Sequence, residues 1–405
     1  MPKLLQINTL CNWGSTGKIA EQIGLQAQKS GYDTCIAHGG RYINESSFST
    51  IQIESKIADY WHCFWNSFIL GHHGLGSKSA TLKFIKEIER YAPDIVHLHN
   101  LHGYYINYKI LFDYLNKTDI PIVWTLHDTW AFTGHCGHFG SIDCEKWKIE
   151  CNHCPLKMRD YPKSIRDCSK EDFYLKKDLF TSNKNLHLVP VSTWLGKMVK
   201  QSFLKDLDIR VITNGIDLNI FKPYDYKRSN RTRILGVASQ WGPLKGIQDF
   251  YILRQLLPLD KYEIMLVGLN DKQIQTRPWG INGVKRTESI EELARLYSSA
   301  DIFINLTYAD TLPTVNIESL ACGTPIITYK TGGSPEILDE GTGFVVEKGK
   351  INEIVEAINL FELKGKQFYT KTCRQRAIDY FNKDERFQDY INLYNELLNE
   401  KSCSR

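Results

Sequence analysis

The sequence predicts an α/β protein built from two doubly wound parallel sheets. Short apolar runs without strict alternation, such as residues 300–307 and 324–329, are typical of strands that are buried on both faces. These runs alternate with glycine-bearing loops and helix-like segments, as expected for parallel strands joined by crossover helices. The 405 residues are enough for two or three domains of this kind.

The N-terminal part begins with a predicted strand at 3–10, a glycine-bearing loop and a helix that ends near Gly31. A second strand is predicted at 34–40. Further strands are predicted within 93–105, 120–138, 186–204 and 209–217. This order of strand, glycine loop, helix and strand is typical of a doubly wound sheet.

The loop GSTGK (14–18) resembles part of a phosphate-binding P-loop, but the motif is broken. Asn12 stands where the motif requires Gly, and Ile19 stands where it requires Ser or Thr. We expect the loop to approach a phosphate or an acceptor, and a plain strand-to-helix turn is the alternative. The residues concerned are Gly14, Gly17 and Lys18.

Four aromatic residues stand three and four positions apart within residues 57–70: Trp61, Phe64, Trp65 and Phe68. On a helix this spacing forms a single stripe, which we expect to pack into the core. The alternative is an interfacial surface that meets a bilayer or a lipid-linked acceptor. Three lysines that would suit anionic head groups follow: Lys78, Lys83 and Lys86.

Histidines follow two of the predicted strands. His99 and His102 come after one strand, and His127 comes after the next, beside Asp128. The carboxyl ends of parallel strands form the ligand-binding edge of such a sheet. A histidine there can donate to a phosphate or hold a nucleophilic hydroxyl. The alternative is that each histidine is a packed structural residue.

Four of the eleven cysteines lie close together, with the spacing C-x7-C-x6-C-x2-C. This cluster predicts a small structural zinc site, and the alternative is four unrelated thiols. Four thiolates would close the coordination shell, so we do not expect this metal to take part in catalysis. The predicted ligands are Cys136, Cys144, Cys151 and Cys154.

Residues 305–336 carry the strongest functional signal. They predict the end of a strand, an acidic turn, a helix that ends at Gly323, a second strand and a glycine loop. Asp310 in the turn and Glu318 in the helix can accept hydrogen bonds from sugar and ribose hydroxyls. Backbone groups nearby are then left for phosphates, which together predicts a nucleotide-sugar site. The predicted backbone contacts are Thr311, Leu312, Pro313, Thr314, Gly332 and Gly333.

This stretch resembles the signature of family 4 glycosyltransferases, which have an acid pair spaced E-x7-E, a helix ending in ACGTP and a GG-x-PE loop. Here the sequence supplies Asp310 and Glu318, ESLACGTP and GGSPE. The resemblance covers nearly the whole chain and is closest to bacterial enzymes that build exopolysaccharide, capsule or O-antigen chains. It implies the GT-B fold, in which two Rossmann-like domains face each other across a cleft. Asp310 departs from the family's glutamate, which leaves the donor sugar open.

The resemblance also implies residue roles. Lys245–Gly246 matches a KG step whose lysine neutralises the donor diphosphate, although Gln240 replaces an arginine that many members carry. The predicted catalytic residues are His127, Asp310 and Lys245. The predicted donor-binding residues, besides the backbone contacts named above, are Gly14, Gly17, Lys18, Lys245, Arg286 and Glu318. The predicted acceptor-side residues are His99, His102 and Asp128.

Three regions are expected. An N-terminal acceptor-side domain spans 1–220 and includes the cysteine-rich insertion near 135–155. A nucleotide-sugar-binding domain spans 221–385. A C-terminal helix at 386–405 is expected to cross back to the first domain.

Composition excludes some partners. The net charge of +4 is small for this length and argues against nucleic acid as the main partner. We see no apolar run long enough for a transmembrane helix, and the apolar start is too short for a secretory signal. We therefore expect a cytoplasmic protein, with peripheral contact at the inner membrane left open.

The predicted function is transfer of a sugar, with retention, from a nucleotide-diphosphate sugar (a UDP- or GDP-sugar) to a glycan or lipid-linked glycan in bacterial surface polysaccharide synthesis. The resemblance implies that catalysis requires no metal or other cofactor. One alternative is a non-catalytic protein that binds nucleotide sugars or glycans, and another is a different GT-B enzyme such as a sugar-nucleotide epimerase.

Overall fold

The computed structural model describes residues 1–227 and 229–403, and it divides the chain into two compact units. The first unit comprises Met1–Thr213 and the chain from Arg386 onward, and the second comprises Asn214–Glu385. Arg228, and residues 404–405 of the predicted C-terminal helix, lie outside the described residues.

The first unit is built on one parallel sheet. Its strands are β1 Lys3–Asn8, β2 Asp33–His38, β3 Ser49–Gln52, β4 Ile95–Leu98, β5 Ile122–Leu126, β6 Leu186–Pro190 and β7 Asp208–Ile209. Its helices are α1 Gly14–Lys29, α2 Lys56–Trp61, α3 Lys78–Tyr91, α4 Tyr108–Leu115, α5 Ser169–Thr181 and α6 Thr193–Val199. A π-helix spans His62–Ile69, and 3-10 turns span Trp130–Phe132 and Lys146–Lys148.

The second unit is built on another parallel sheet. Its strands are β8 Thr232–Val237, β9 Tyr262–Val267, β10 Ile281–Val284, β11 Ile302–Asn305, β12 Ile326–Tyr329 and β13 Gly343–Val346. Its helices are α7 Ile247–Leu256, α8 Asp271–Thr276, α9 Ile290–Ser299, α10 Thr314–Ala321, α11 Ser334–Ile337, α12 Ile351–Lys364 and α13 Lys366–Phe381. A 3-10 turn spans Pro243–Lys245, and α14 Lys383–Cys403 begins in this unit and continues in the first.

Strand order determines where a site can form in each unit. The first sheet has the order β3-β2-β1-β4-β5-β6-β7, and the second has the order β10-β9-β8-β11-β12-β13. The direction of winding therefore reverses between β1 and β4 and between β8 and β11. In open parallel sheets, ligands bind beyond the carboxyl ends of the strands at such a switch point.

The central strands are buried on both faces, as their unbroken apolar sequences predict. Leu4, Leu5 and Ile7 of β1 have no solvent exposure. The core of the first unit also includes Tyr390 and Tyr394 of α14. Burial on both faces is the physical reason why the strands lack the alternation of a half-exposed sheet.

Edge strands differ most from the sequence prediction. The short strands β3 and β10 were not predicted from the sequence, because each has a polar, partly exposed sequence rather than an apolar run. The strand predicted at 209–217 is wrong in length, since only Asp208–Ile209 is strand.

Within the described residues, no helix combines the length and apolarity needed to cross a membrane.

The aromatic stripe of residues 57–70 lies on the outside, so the expected core packing is wrong. Trp61 is 64% exposed and Trp65 is 53% exposed. The buried side of this helical segment carries Asp59, His62 and Ser67 instead.

Candidate active site

Three loops meet beyond the carboxyl ends of β8, β11 and β12 in the second unit. The N–H of Tyr308, after β11, donates to the carbonyl of Leu244, after β8, at 2.8 Å. The N–H of Gly333, after β12, donates to the carbonyl of Thr311, after β11, at 3.0 Å. The fold thus brings the KG step, the acidic turn and the glycine loop together at the switch point.

Lys245 and Asp310 form a salt bridge across this switch point. Lys245 Nζ lies 2.7 Å from Asp310 Oδ2, and both side chains are partly exposed. Gly246 follows the lysine with φ of +71°, and a Cβ there would lie 2.2 Å from the carbonyl oxygen of Leu306. This close approach of the two loops allows the ammonium to reach the carboxylate, 65 residues further along the chain.

Glu318 lies in the second turn of α10 and is half-buried. The hydroxyl of Tyr297 donates to Glu318 Oε2 at 2.9 Å. Burial first, and then the Glu318 carboxylate, raises the pKa of Tyr297 well above its ordinary value. Tyr297 therefore remains a hydrogen-bond donor at neutral pH and holds the carboxylate in position.

The glycine loop packs tightly on the acidic turn. Gly332 has φ of +54°, and a Cβ there would lie 1.7 Å from the carbonyl oxygen of Asp310. The Gly333 N–H already donates to the carbonyl of Thr311. It can make the predicted contact with a phosphate only if the loop opens. By contrast, α10 begins after Pro313 without a side-chain cap, which leaves first-turn N–H groups that suit an anion.

Sequence reasoning missed three polar groups near these loops. The hydroxyls of Thr331 and Ser334 flank the glycine pair, are buried, and have no hydrogen-bond partner within the described part of the chain. Asp249 of α7 accepts from the hydroxyls of Tyr308 and Tyr329, each at 2.8 Å, and so ties α7 to the ends of β11 and β12. The pattern TGGS was a usable signal for the two hydroxyls, whereas the role of Asp249 depends on the fold.

Arg286 is exposed and follows β10, at the edge of the sheet. Lys245 and Asp310 follow β8 and β11, so two strand positions separate β10 from the nearer of these loops. Gln240 is exposed in the loop after β8.

In the first unit, the loops after β4 and β5 carry a linked set of polar side chains. His102 Nε2 lies 2.6 Å from Asp128 Oδ2, and His102 Nδ1 lies 3.2 Å from the hydroxyl of Tyr161. That hydroxyl also lies 3.2 Å from Nε2 of the buried His73. The chain of contacts joins the two predicted residues to two that sequence reasoning missed, because Tyr161 and His73 occur in no recognisable motif.

Asp128 and His127, which are neighbours in the loop after β5, differ in their protonation state at pH 7. Burial alone would raise the pKa of Asp128, but the charge and hydrogen bond of His102 hold it well below its ordinary value, so Asp128 is ionised. Burial lowers the pKa of His127 to about 4, so this imidazole is neutral at pH 7. His127 can therefore donate or accept a hydrogen bond but is not a cation.

His99 is only 1% exposed and cannot itself reach an acceptor at the surface. Its Nδ1 lies 3.2 Å from His127 Nε2, and its Nε2 lies 3.0 Å from Gln6 Oε1. Burial lowers its pKa well below the ordinary value. Through these contacts His99 is suited to orient His127, and its acceptor-side role stays a prediction.

Gly14, Gly17 and Lys18 belong to the first turns of α1 rather than to an extended loop. Gly14 starts the helix with φ of +62°. Gly17 is buried, and a Cβ there would lie 3.3 Å from the backbone of Asn12, so it allows the helix to pack on the preceding turn. Lys18 is exposed.

The predicted zinc site is not supported. Across residues 1–227 and 229–403, no group of three or more His, Cys, Asp or Glu side chains is placed to hold a metal ion. The four cysteines do line one small cavity, but Cys136 and Cys154 are hydrogen-bonded to each other there. Aromatic packing holds this segment, since Trp147 is buried and stacks on Phe139 with ring centroids 5.1 Å apart.

Comparison with known families assigns the class of protein. Residues 65–220 match the family profile described as Glycosyltransferase Family 4, and residues 232–361 match the one described as Glycosyl transferases group 1. Together the two matches cover more than two thirds of the chain. With the fold and the signature described above, they show that the chain is a glycosyltransferase with a family 4 domain followed by a group 1 domain.

Individual relatives agree with this class. The putative colanic acid biosynthesis glycosyl transferase WcaC of Escherichia coli K12 is 25% identical over 324 residues, which cover 75% of this chain and 77% of that protein. Sucrose-phosphate synthase of Thermosynechococcus elongatus superposes with a TM-score of 0.73 at 17% identity, covering 99% of this chain and 100% of its own. Anabaena HepE, solved in complex with UDP-glucose, superposes with a TM-score of 0.64 at 13% identity. The match covers 97% of this chain and 99% of the HepE chain. The predicted GT-B fold and glycosyltransferase function are thereby confirmed.

Proposed function

We propose that this glycosyltransferase moves a sugar, with retention of anomeric configuration, from a UDP-sugar to a hydroxyl of a glycan or lipid-linked glycan. The product would enter a bacterial surface polysaccharide such as a capsule or O-antigen. The observation that carries the proposal is the Lys245–Asp310 pair at the switch point of the second sheet, with Gly332 packed against Asp310. The UDP-glucose complex of HepE supports uracil as the base, and the likeness to WcaC supports a polysaccharide product.

The donor roles follow from charge and position. In the reaction, the bond from the sugar C1 to the diphosphate oxygen breaks, and negative charge develops on the leaving diphosphate. Lys245 and the first turn of α10 are suited to stabilise that charge. Asp310 is suited to accept from sugar hydroxyls, and Glu318 from ribose hydroxyls.

The acceptor roles involve the first unit. The acceptor oxygen forms the new bond to C1, and its proton passes to the departing diphosphate. We assign His127, neutral at pH 7, a hydrogen bond to the transferred sugar or the donor phosphates. The ionised Asp128, held by His102, is suited to orient the acceptor hydroxyl.

The cellular setting is part of the proposal. We infer that the protein acts in the cytoplasm, in peripheral contact with the inner membrane, because a lipid-linked acceptor would be held there.

A thermal-shift panel with UDP, GDP, ADP, UMP, NAD and ATP tests the donor. A ligand at about 100 times its dissociation constant adds about 2.7 kcal/mol of stability. We expect a shift with UDP, and a shift with GDP alone would overturn the assignment of the base. Incubation with UDP-sugars and NMR of the product then reads the anomeric configuration, and an inverted product would overturn retention.

Two variants separate transfer from binding alone. Glu318→Ala should weaken nucleotide binding strongly, whereas His127→Ala should lower turnover more than binding. UDP binding without turnover by the wild-type protein on any donor tested would favour the non-catalytic alternative.

A further inference from the structure

The helical segment Lys56–Ile69 is amphipathic, but its apolar side is exposed and its buried side is polar. Its α-helical and π-helical parts follow without a break. Five large apolar side chains at spacings of three and four residues are all exposed, and we call them the aromatic face: Ile57, Tyr60, Trp61, Phe64 and Trp65. A stripe with this spacing on a surface helix normally faces the core. An exposed cluster of this kind marks an interaction surface.

Polar contacts hold the segment in this orientation. Asp59 Oδ2 accepts from the N–H of Gly40 at 3.2 Å. His62 Nε2 accepts from the N–H of Gly76 at 3.0 Å, and its Nδ1 lies 2.9 Å from Ser77 Oγ. Rotating the segment so that the aromatic face pointed inward would break these hydrogen bonds of Asp59 and His62. The bonds therefore stabilise the outward orientation of the aromatic face.

Positive charge accompanies the aromatic face. The contact between His62 and Ser77 holds the start of α3 beside the segment. Lysines are exposed at the start of the segment and along α3: Lys56, Lys78, Lys83 and Lys86. In the described part of the chain, none of the four is in a salt bridge.

The nearby carboxylates do not cancel this charge. Glu54 accepts from the N–H of Ser55, and Glu87 pairs with Arg90 at 2.5 Å. Glu89 is exposed on α3, and the buried Asp59 faces Arg41. Among the charged residues of this segment and of α3, cations therefore outnumber carboxylates.

We propose that the aromatic face and the four lysines dock this protein on an anionic lipid bilayer. Trp and Tyr favour the boundary between head groups and acyl chains, and lysines at that depth attract anionic head groups. A second copy of the chain fits less well, because a two-fold contact through this face would bring like-charged lysines together. The inference deepens the proposed function, and it rests on it for the lipid-linked acceptor.

Co-sedimentation of the full-length protein with vesicles, without nucleotide, tests the surface. We expect binding to vesicles of phosphatidylglycerol mixed with phosphatidylethanolamine, and little binding to phosphatidylcholine alone. Added salt should weaken binding, because it screens the lysines. Failure of the wild-type protein to bind anionic vesicles would overturn the proposal.

Matched variants identify the residues. Trp61→Ser with Trp65→Ser should lower vesicle affinity at least roughly tenfold through the lost apolar insertion. Trp279→Ser, at a tryptophan that is 88% exposed in the second unit, should leave it unchanged. Lys83→Glu with Lys86→Glu should lower it by roughly fivefold or more for each lysine. The control here is Lys272→Glu with Lys371→Glu, at exposed lysines of the second unit.

Other outcomes would overturn the proposal. One is undiminished vesicle binding by the tryptophan double variant, with an unfolding midpoint like that of the wild type. Another is a wild-type dimer in light scattering that this variant converts to a monomer, which would make the face an interface between copies. Loss of UDP binding and of transfer to a soluble acceptor would count against the proposed function alone, since vesicle binding is measured without either.

Discussion

At the scale of single residues, Asp310 and Lys245 act on an approaching diphosphate in opposite directions. The ammonium attracts it, and the carboxylate 2.7 Å away repels it. If Asp310 serves the sugar hydroxyls, its charge costs nucleotide affinity and supports sugar positioning. The pair is partly exposed, so solvent limits each effect to modest size.

Asp310→Asn should therefore separate binding from transfer. We expect UDP to bind a few-fold more tightly, by about 1 kcal/mol or less, because a repulsive charge is removed. The rate of transfer should fall roughly 10²-fold or more, because the sugar loses a charged acceptor. Isothermal titration and a transfer assay measure the two effects. Asp271→Asn, at another lysine-paired acid in the second unit, is the control, and weaker UDP binding by Asp310→Asn would contradict the argument.

Gly332 illustrates how a single backbone position holds the site. Gly332→Ala should destabilise the protein by more than the roughly 1–2 kcal/mol that a positive φ costs an L-residue, because its Cβ would also meet the Asp310 carbonyl. Gly31→Ala is the control, since Gly31, directly after the C-cap of α1, also has a positive φ of +88° but open space around its Cβ position. Urea unfolding compares the two, and equal losses would show that the contact with Asp310 contributes nothing.

At the scale of elements, short hydrogen-bonded links decide where helices point. His62 links the π-helix to the start of α3. Its Nε2 accepts from the N–H of Gly76, and its Nδ1 contacts Ser77 Oγ. Protonation of Nε2 would remove that acceptor. Burial accordingly lowers the pKa of His62 to about 4, as it does for His127 and His135.

These histidines predict a loss of stability in mild acid. Because their folded pKa lies below the ordinary value of 6.5, the unfolded chain binds more protons between pH 6.5 and 4. Stability should thus be full above pH 6.5 and should fall by up to about 1.4 kcal/mol per pH unit for each histidine as the pH drops towards 4. Urea unfolding at several pH values measures this slope.

His62→Gln should make the slope shallower, because the glutamine can accept from Gly76 without titrating. His153→Gln, at an exposed histidine, is the control. An unchanged slope in His62→Gln would show that the link between the π-helix and α3 is not sensitive to pH.

At the scale of the whole molecule, the end of the chain completes the core of the first unit. The hydroxyl of Tyr394 lies 2.6 Å from His97 Nδ1, and Thr125 Oγ1 lies 3.1 Å from the hydroxyl of Tyr390. Arg210 adds a bidentate pair with Glu396. Contacts between residues so distant in sequence depend on the intact chain.

A chain that ends after Glu385 should therefore lose the first unit selectively. We expect faster amide exchange in β1 and β4, because the apolar side chains of α14 no longer cover them. Exchange in β8 and β11 should change little. A chain that ends after Glu400 is the control, since the buried residues of α14 end at Leu397. Unaltered protection of β1 in the shorter chain would contradict this role.

Local sequence patterns were sufficient to predict the parallel α/β class, the central strands and the chemistry of the signature. These features depend on local apolar patterns and on residues within about thirty positions of one another, so they can be recognised without a structure. Edge strands such as β3 were missed, because a polar strand at a sheet edge leaves no apolar run.

Which side chains meet, and which way a helix faces, depends instead on how the elements pack. Strand order places Lys245 against Asp310, and the long connection between β5 and β6 brings Tyr161 to His102, although neither pair is close in sequence. The aromatic stripe has the same spacing whether it is buried or exposed, and buried Asp59 and His62 fix it outward. The cysteine spacing likewise suits zinc, but aromatic packing organises that segment. Periodicity specifies a face of an element, and only the neighbours of that element determine what the face meets.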